Sequence, residues 1–225
     1  MKTVLLSLIL LFCASAVQSQ KNLLVATILL EGTNTPAPGV EILIMGRFHQ
    51  PLTTLTTDPD GKIRYATNQT SLNLNIRSND LNFKSTFEQL NLAPGDTSLL
   101  SITLIKRDPI EADRMKRGLQ KLPEEKNPTP YTCTDYTQQN LHAHQIDSCL
   151  TSQINYPEKA REFNLTAKIR VKFIIDKTGQ VCNIELLDQT YTILEEEVIR
   201  AASLLTDMPV AICKGKKFPP IIRFR

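Results

Sequence analysis

From residue 23 to residue 105 the chain alternates short apolar runs with polar punctuation, a rhythm of strands rather than helices. The runs are Leu23 to Leu30, Val40 to Met45, Leu52 to Thr57, Ile63 to Ala66, Leu72 to Arg77, Phe83 to Leu90 and Ser98 to Ile105. Such segments, closely spaced and separated by turn residues, predict a seven-stranded β-sandwich over residues 20–106. The alternation is plainest where Leu72, Leu74 and Ile76 interleave with Asn73, Asn75 and Arg77, which predicts one buried and one solvated face. Thr35-Pro36-Ala37-Pro38-Gly39 separates the first two segments. Asp58-Pro59-Asp60-Gly61 reads as a tight hairpin, with Pro presetting φ and Gly taking a positive φ.

Between Lys106 and Gln139 the periodicity lapses. Met115, Leu119 and Leu122 allow a short amphipathic helix within Asp113 to Lys121, and Pro123, Pro128 and Pro130 follow, so residues 107–140 read as a linker with one helical segment. Leu141 to Leu150 then reads as a helix ending near Ser152. Tyr156-Pro157 starts another, with Pro in the first turn where a missing N–H costs nothing and with Ala160 and Phe163 as its apolar stripe. From Ala167 to Asp176, Ile169, Val171, Phe173 and Ile175 alternate with Lys168, Arg170 and Lys172, the pattern of a half-buried strand. Asp176-Lys177-Thr178-Gly179 turns the chain into an antiparallel return strand with Cys182, Ile184 and Leu186 facing inward.

Thr192-x-x-Glu195 is a capping-box pattern, and Glu195 to Glu197 put carboxylates at the positive end of a helix. Leu194, Val198, Ala201 and Leu205 recur at helical spacing and predict a helix covering the sheet, stopped by Met208-Pro209. Lys214 to Pro220 reads as a loop. Ile221 to Arg225 closes the chain as a strand, with Ile222 and Phe224 on one face and Arg223 and Arg225 on the other. The fold class is therefore α+β: an N-terminal sandwich, then an α-β-β-α-β unit over residues 141–225 whose three-stranded antiparallel sheet is covered by helices.

Composition adds location. Residues 1–19 read as a secretory signal, with Lys2 as the positive end, an apolar stretch from Val4 and small residues at Ala14, Ser15, Ala16 and Ser19. As a helix, Val4 to Val17 spans about 21 Å at ~1.5 Å per residue, short of the roughly 30 Å of a bilayer core. Cleavage after Ser19 leaves about 206 residues, enough for two domains. The formal charge of +3 falls to +2 with Lys2 removed, too little to draw nucleic acid over long range. After cleavage Cys133, Cys149, Cys182 and Cys213 remain, an even count that in an exported chain predicts disulfides with three connectivities. Cys133 with Cys149 and Cys182 with Cys213 is the favoured pairing, and buried free thiols are the alternative.

Two resemblances follow from these patterns. Residues 20–106 resemble the carboxypeptidase regulatory-like domain, a transthyretin-like or immunoglobulin-like sandwich, through the first strand, Pro38-Gly39-Val40 and Thr57-Asp58-x-Asp60-Gly61-Lys62. That resemblance implies a module without a catalytic role. Residues 141–225 resemble the C-terminal domain of TonB-type energy transducers through Tyr156-Pro157-x-x-Ala160-Arg161, Asp176-x-x-Gly179 and the order of elements. The chain departs from that family at Thr166, where Gly is frequent, and at Pro209-Val210-Ala211-Ile212-Cys213, in place of an aromatic and proline stretch.

The second resemblance implies a periplasmic protein that binds an extended segment of an outer-membrane transporter or another envelope protein as an added strand. By position that edge is Ile221, Ile222, Arg223, Phe224 and Arg225. Self-association through the same edge is a further reading. An uncleaved leader would instead make the chain a membrane-anchored transducer; after cleavage no integral membrane segment is expected.

No cofactor or metal is expected. Cys133-x8-His142-x-His144-x4-Cys149 matches no common zinc spacing. Enzyme motifs are lacking too, with no Gly-x-Ser-x-Gly elbow, His-Glu-x-x-His helix or phosphate-binding glycine loop. The rival reading is a carbohydrate or cell-wall binder using Phe48, Tyr65, Phe83 and Phe87 of the sandwich.

Overall fold

The computed structural model describes residues 21–121, 146–176 and 178–208, together with the backbone of 211–213, 216–218 and 221–224. The leader, Cys133, His142, His144 and Arg225 lie outside the described residues.

Seven strands form the N-terminal unit: β1 (Asn22–Leu30), β2 (Glu41–Met45), β3 (Pro51–Thr56), β4 (Lys62–Thr67), β5 (Ser71–Arg77), β6 (Thr86–Asn91) and β7 (Thr97–Leu104). They make two sheets, ordered β4-β1-β7 and β3-β2-β5-β6. β1 pairs antiparallel with β4 and parallel with β7, and the second sheet is antiparallel throughout. Period-two burial explains why these segments are strands. Leu24, Ala26 and Ile28 of β1 face Ile42 and Ile44 of β2 and Leu72, Leu74 and Ile76 of β5 across a continuous apolar core.

Asp58-Pro59-Asp60-Gly61 does not close a hairpin. It carries the chain from β3, at the edge of one sheet, to β4, at the edge of the other. The turn itself forms as its residues dictate: the Gly61 N–H donates to Asp58 O at 2.9 Å, and Asp58 Oδ1 accepts from the Asp60 and Lys62 N–H groups. Gly61 has φ +69°, and a Cβ there would lie 2.6 Å from Ile28 O and 2.9 Å from Ala37 N, so glycine allows the crossing chain to pass close to β1.

The helix expected at Asp113 to Lys121 begins earlier, as α1 (Pro109–Leu119). Asp108 Oδ1 caps the N–H groups of Ile110 and Glu111, and Pro109 occupies the first turn. Helical residues 146–153 (α2) and α3 (Glu158–Glu162) precede β8 (Val171–Ile175) and β9 (Val181–Leu186). α4 (Thr192–Ser203) follows, then β10 (Ala211–Cys213), β11 (Lys216–Phe218) and β12 (Ile221–Phe224). The stretch read as a loop after Lys214 thus contains β11, which pairs antiparallel with β10 in a separate two-stranded ribbon.

The remaining C-terminal sheet runs β12-β8-β9, antiparallel at both junctions. Its core joins Ile146 and Leu150 of α2, Val171, Phe173 and Ile175 of β8, Val181 and Ile184 of β9, and Ala201 and Ala202 of α4. α1 packs on α4 and β9. Gly118 makes that approach possible, since a Cβ would meet Ile184 Cδ1 at 2.7 Å. Cys182 and Ile184 are buried and Leu186 packs against the same core, as their spacing predicted. Asn183 takes φ +51° and the β8–β9 register shifts between Lys172 and Ile174, a bulge that brings Val181 into the core as well.

Candidate functional site

β8 occupies the middle of the C-terminal sheet and leaves two edges, β9 and β12. The β9 edge is covered by its own chain, because the Asn183 N–H donates to Gln120 O, at the C-terminal cap of α1, at 3.2 Å. The bulge at Asn183 further interrupts that edge. β12 pairs with β8 from Ile221 opposite Ile174 to Phe224 opposite Val171, and among the described residues it has no strand on its other side. Four of the five residues expected at the terminal edge, Ile221, Ile222, Arg223 and Phe224, are therefore in β12.

Two of the three cations that alternate with the apolar residues of the β8 segment, Arg170 and Lys172, are paired. Lys172 stands between Arg223 and Glu185 in register, and its Nζ lies 2.9 Å from Glu185 Oε2. Its hydrogen bond is the main cause holding the Glu185 carboxyl below the usual range. Arg170 grips Asp188 through its guanidinium at 2.7 Å and its own N–H at 2.7 Å. The same hydrogen bonds lower the Asp188 pKa to about 2.

The Tyr156-Pro157-x-x-Ala160-Arg161 signature has a structural role. Pro157 is the N-terminal cap residue of α3, Ala160 is fully buried, and the Tyr156 hydroxyl donates to Leu165 O. Asp176 organises the following turn, its Oδ1 accepting from Thr178 N and Oγ1 and from Gln180 N. Burial pushes the Asp176 carboxyl up, and these hydrogen bonds outweigh it to leave the pKa lowered. Gly179, at φ +85°, lies where a Cβ would be 2.9 Å from Met208 O.

Neither expected disulfide forms. Cys149 and Cys182 carry free thiols. Cys182 belongs to β9, whereas Cys213 belongs to the separate β10–β11 ribbon. Burial, and secondarily the charge of Asp176, raises the pKa of the Cys182 thiol.

A second surface went unread in the sequence: the outer face of the β3-β2-β5-β6 sheet, predicted to be wet, is where the C-terminal unit docks. Asn73 and Asn75 of β5 are buried. Asn75 Oδ1 accepts from the Thr192 N–H at 2.9 Å and from its hydroxyl at 2.6 Å, while Asn75 Nδ2 donates to Thr190 O at 3.2 Å. A sandwich residue thus caps α4, and the Thr192 capping box does not form. Glu195 turns back to accept from the Thr190 N–H at 2.5 Å and pairs with Arg77 at 2.6 Å.

Next to it, Glu196 accepts from the Ser85 N–H at 3.0 Å, the Ser85 hydroxyl at 2.6 Å and Arg107 Nη2 at 2.7 Å. Glu197 pairs with Arg200 at 2.6 Å. The acidic run lies at the start of α4, as its pattern predicted, and two of its three carboxylates also bind groups outside the C-terminal unit. Around this polar seam, Met45 and Phe87 of the sandwich pack with Ala160, Leu165, Ile193 and Leu194. A cleft of about 370 Å³ at the seam is lined by Arg77, Ser85, Met115, Leu119, Glu195 and Ile199 among others. Its carboxylates are already engaged.

The sequence did carry signals for this contact. Asn is depleted in strands, yet β5 holds two at alternate positions. Ile42 to Met45 is apolar at every position rather than every second one, as in a sheet covered on both faces. The docking also buries Phe87, so it cannot stack on a sugar. Tyr65 and Phe83 are half-buried against the sandwich core, leaving Phe48 at 82% exposure.

Residues 152–225 match the family model of the Gram-negative bacterial TonB protein C-terminal. The match covers about a third of the chain, from the end of α2 to the last residue. No curated protein matches the chain.

Among solved structures, the minor pilin GBS52 of Streptococcus agalactiae aligns at 14% identity and a TM-score of 0.35, over 46% of this chain and 48% of that one. BcpA, the major pilin subunit of Bacillus cereus, aligns at 11% identity and 0.34, over 39% and 31%. Klebsiella pneumoniae 5-hydroxyisourate hydrolase aligns at 18% identity and 0.30, over 38% and 85%. The chain thus spans less than half the length of either pilin, and overlaps this slight support no inference about function.

Proposed function

We propose that this chain is a non-enzymatic periplasmic binding protein, related to TonB through its C-terminal unit, that docks an extended segment of an outer-membrane transporter or other envelope protein along β12. One observation carries the reading: the segment matching the TonB C-terminal model ends in an edge strand whose outer side has no strand neighbour among the described residues. The contrast with β9 supports it, since that edge is covered by the end of α1. The carboxypeptidase regulatory-like reading of residues 20–106 belongs to the same proposal, with the sandwich as a rigid support for the C-terminal unit.

The energetics limit what the edge contributes alone. About four backbone hydrogen bonds at ~0.5–1.5 kcal/mol each fall near or below the roughly 4–15 kcal/mol lost on association. The docked segment therefore needs side-chain contacts beyond the strand. Deleting residues 221–225 abolishes capture of the partner from outer-membrane extracts, and Arg223→Glu, which leaves the strand in place, weakens it. Capture undiminished by the deletion refutes the assignment to β12.

A further inference from the structure

The sandwich has four edge strands, and three carry features that discourage pairing with another chain. β4 presents Lys62 and Arg64. β3 opens with Pro51 and is offset from β2 by a register shift at Ile44 and Met45. β6 contains Glu88, paired with Lys159, and lies against the C-terminal unit through Phe87.

β7 has none of these. Thr97-Ser98-Leu99-Leu100-Ser101-Ile102-Thr103-Leu104 contains no charge, no Pro and no Gly. It pairs with β1 along its whole length on one side. On the other, among the described residues, it has no strand neighbour; just beyond its end Phe83 bridges Lys106, with the Lys84 N–H donating to Ile105 O at 2.8 Å. Leu99 is 79% exposed and lies in register with the half-buried Val25 of β1.

We propose that β7 is a self-association edge, at which two copies of this chain pair β7 to β7 antiparallel about a two-fold axis near Leu100. The choice of a second copy as occupant rests on the chemistry of the row. A two-fold axis sets identical edges antiparallel and brings each row against itself, which like charges would oppose. Here the outward row is Thr97, Leu99, Ser101 and Thr103. The axis brings Thr97 opposite Thr103 and Leu99 opposite Ser101 of the second copy, and the two Leu99 side chains become diagonal neighbours. A foreign strand finds no charged residue on β7 to select it, whereas a second copy covers both Leu99 side chains at once.

The result is one continuous sheet, β4-β1-β7 joined to its symmetry mate. The C-terminal units dock on the other sheet, through Met45 and Phe87, so this pairing does not use their surface. If the docking role of β12 holds, the dimer presents two docking edges and gains from bivalency. The dimer itself does not depend on that role.

Sedimentation velocity of the purified full chain over a wide concentration range tests the inference. A monomer–dimer equilibrium is expected, weakened at least tenfold by Leu99→Lys, which places like charges across the axis. An equimolar mixture of Leu99→Lys and Leu99→Glu proteins is expected to restore association. Leu99 is exposed, so both variants should keep the wild-type far-UV circular dichroism and urea midpoint. A wild-type protein that stays monomeric throughout, or a Leu99→Lys variant that dimerises like wild type, overturns the proposal. The second outcome assigns self-association to another edge, and β12 deletion then identifies it.

Discussion

Replacing Glu196 by Ala removes a carboxylate that two sandwich elements share, and the structure sets the size of the effect. The Arg107 side chain is 3% exposed and that of Glu196 16%. Losing a hydrogen bond to a charged group costs about 1.5–3 kcal/mol, and leaving the buried Ser85 N–H without an acceptor adds ~1–3 kcal/mol. Two features reduce the sum. Arg107 keeps Glu111 at 2.7 Å and the Leu81 carbonyl at 3.0 Å, so the ~3–5 kcal/mol of a stranded buried charge is not incurred in full. Water also reaches the partly open side of Glu196.

The expected loss is about 3 kcal/mol for Glu196→Ala, and about 1 kcal/mol for Glu196→Gln, which keeps an acceptor for Ser85. Urea unfolding followed by far-UV circular dichroism and by tyrosine fluorescence measures it, and coincident transitions from the two probes are expected of a single cooperative body. A loss below about 0.5 kcal/mol, the range of an ordinary surface substitution, would refute the claim that this seam holds the two units together.

Three further outcomes follow from the same geometry. Asn75→Ala deprives α4 of its cap and is expected to cost about 1–2 kcal/mol, the range of a lost helix cap, read from the urea midpoint. Asp188, with its pKa lowered to about 2, contributes stability that is present above the ordinary carboxylate range and is lost as pH falls towards 2; Asp188→Asn should flatten the acid limb of a midpoint-against-pH profile there and change little near neutrality. Cys149, exposed, should react quickly with a thiol reagent in the native protein, while Cys182, buried with a raised thiol pKa, should react slowly until urea unfolds the chain; equal native rates at the two positions, resolved by peptide mapping, would contradict the placement of Cys182.

Much of the fold was legible because alternation is a local signal. Each of the seven sandwich strands lies within a few residues of its apolar run, and Val198 and Ala201 of α4, with Leu205 just beyond its end, face the core their spacing predicted, whereas Leu194 of the same stripe packs at the seam with the sandwich. α1 was read too short because the Asp108-Pro109 start signal went unused. The Asp58 to Gly61 turn was identified, but its destination was not: a tight turn specifies a change of direction, and only strand pairing decides which sheet receives the chain. The inward positions of β9 at Cys182, Ile184 and Leu186 were legible, and the bulge at Asn183 adds Val181, which a strict period of two places on the other face.

The sequence alone determined where most strands and helices form, β11 excepted, and most of the side chains that line each unit's interior, because burying apolar groups at period two or near 3.6 needs no knowledge of distant residues. The tertiary structure decided what covers the polar face of β5, which carboxylates of the run Glu195 to Glu197 are bound, and which strand edges are left without a neighbour. Those outcomes depend on pairs far apart in the chain, Asn75 with Thr192, Arg77 with Glu195 and Arg107 with Glu196. A polar side chain has the same local pattern whether water or a distant partner satisfies it, and folding makes that choice by bringing the partner within hydrogen-bond reach.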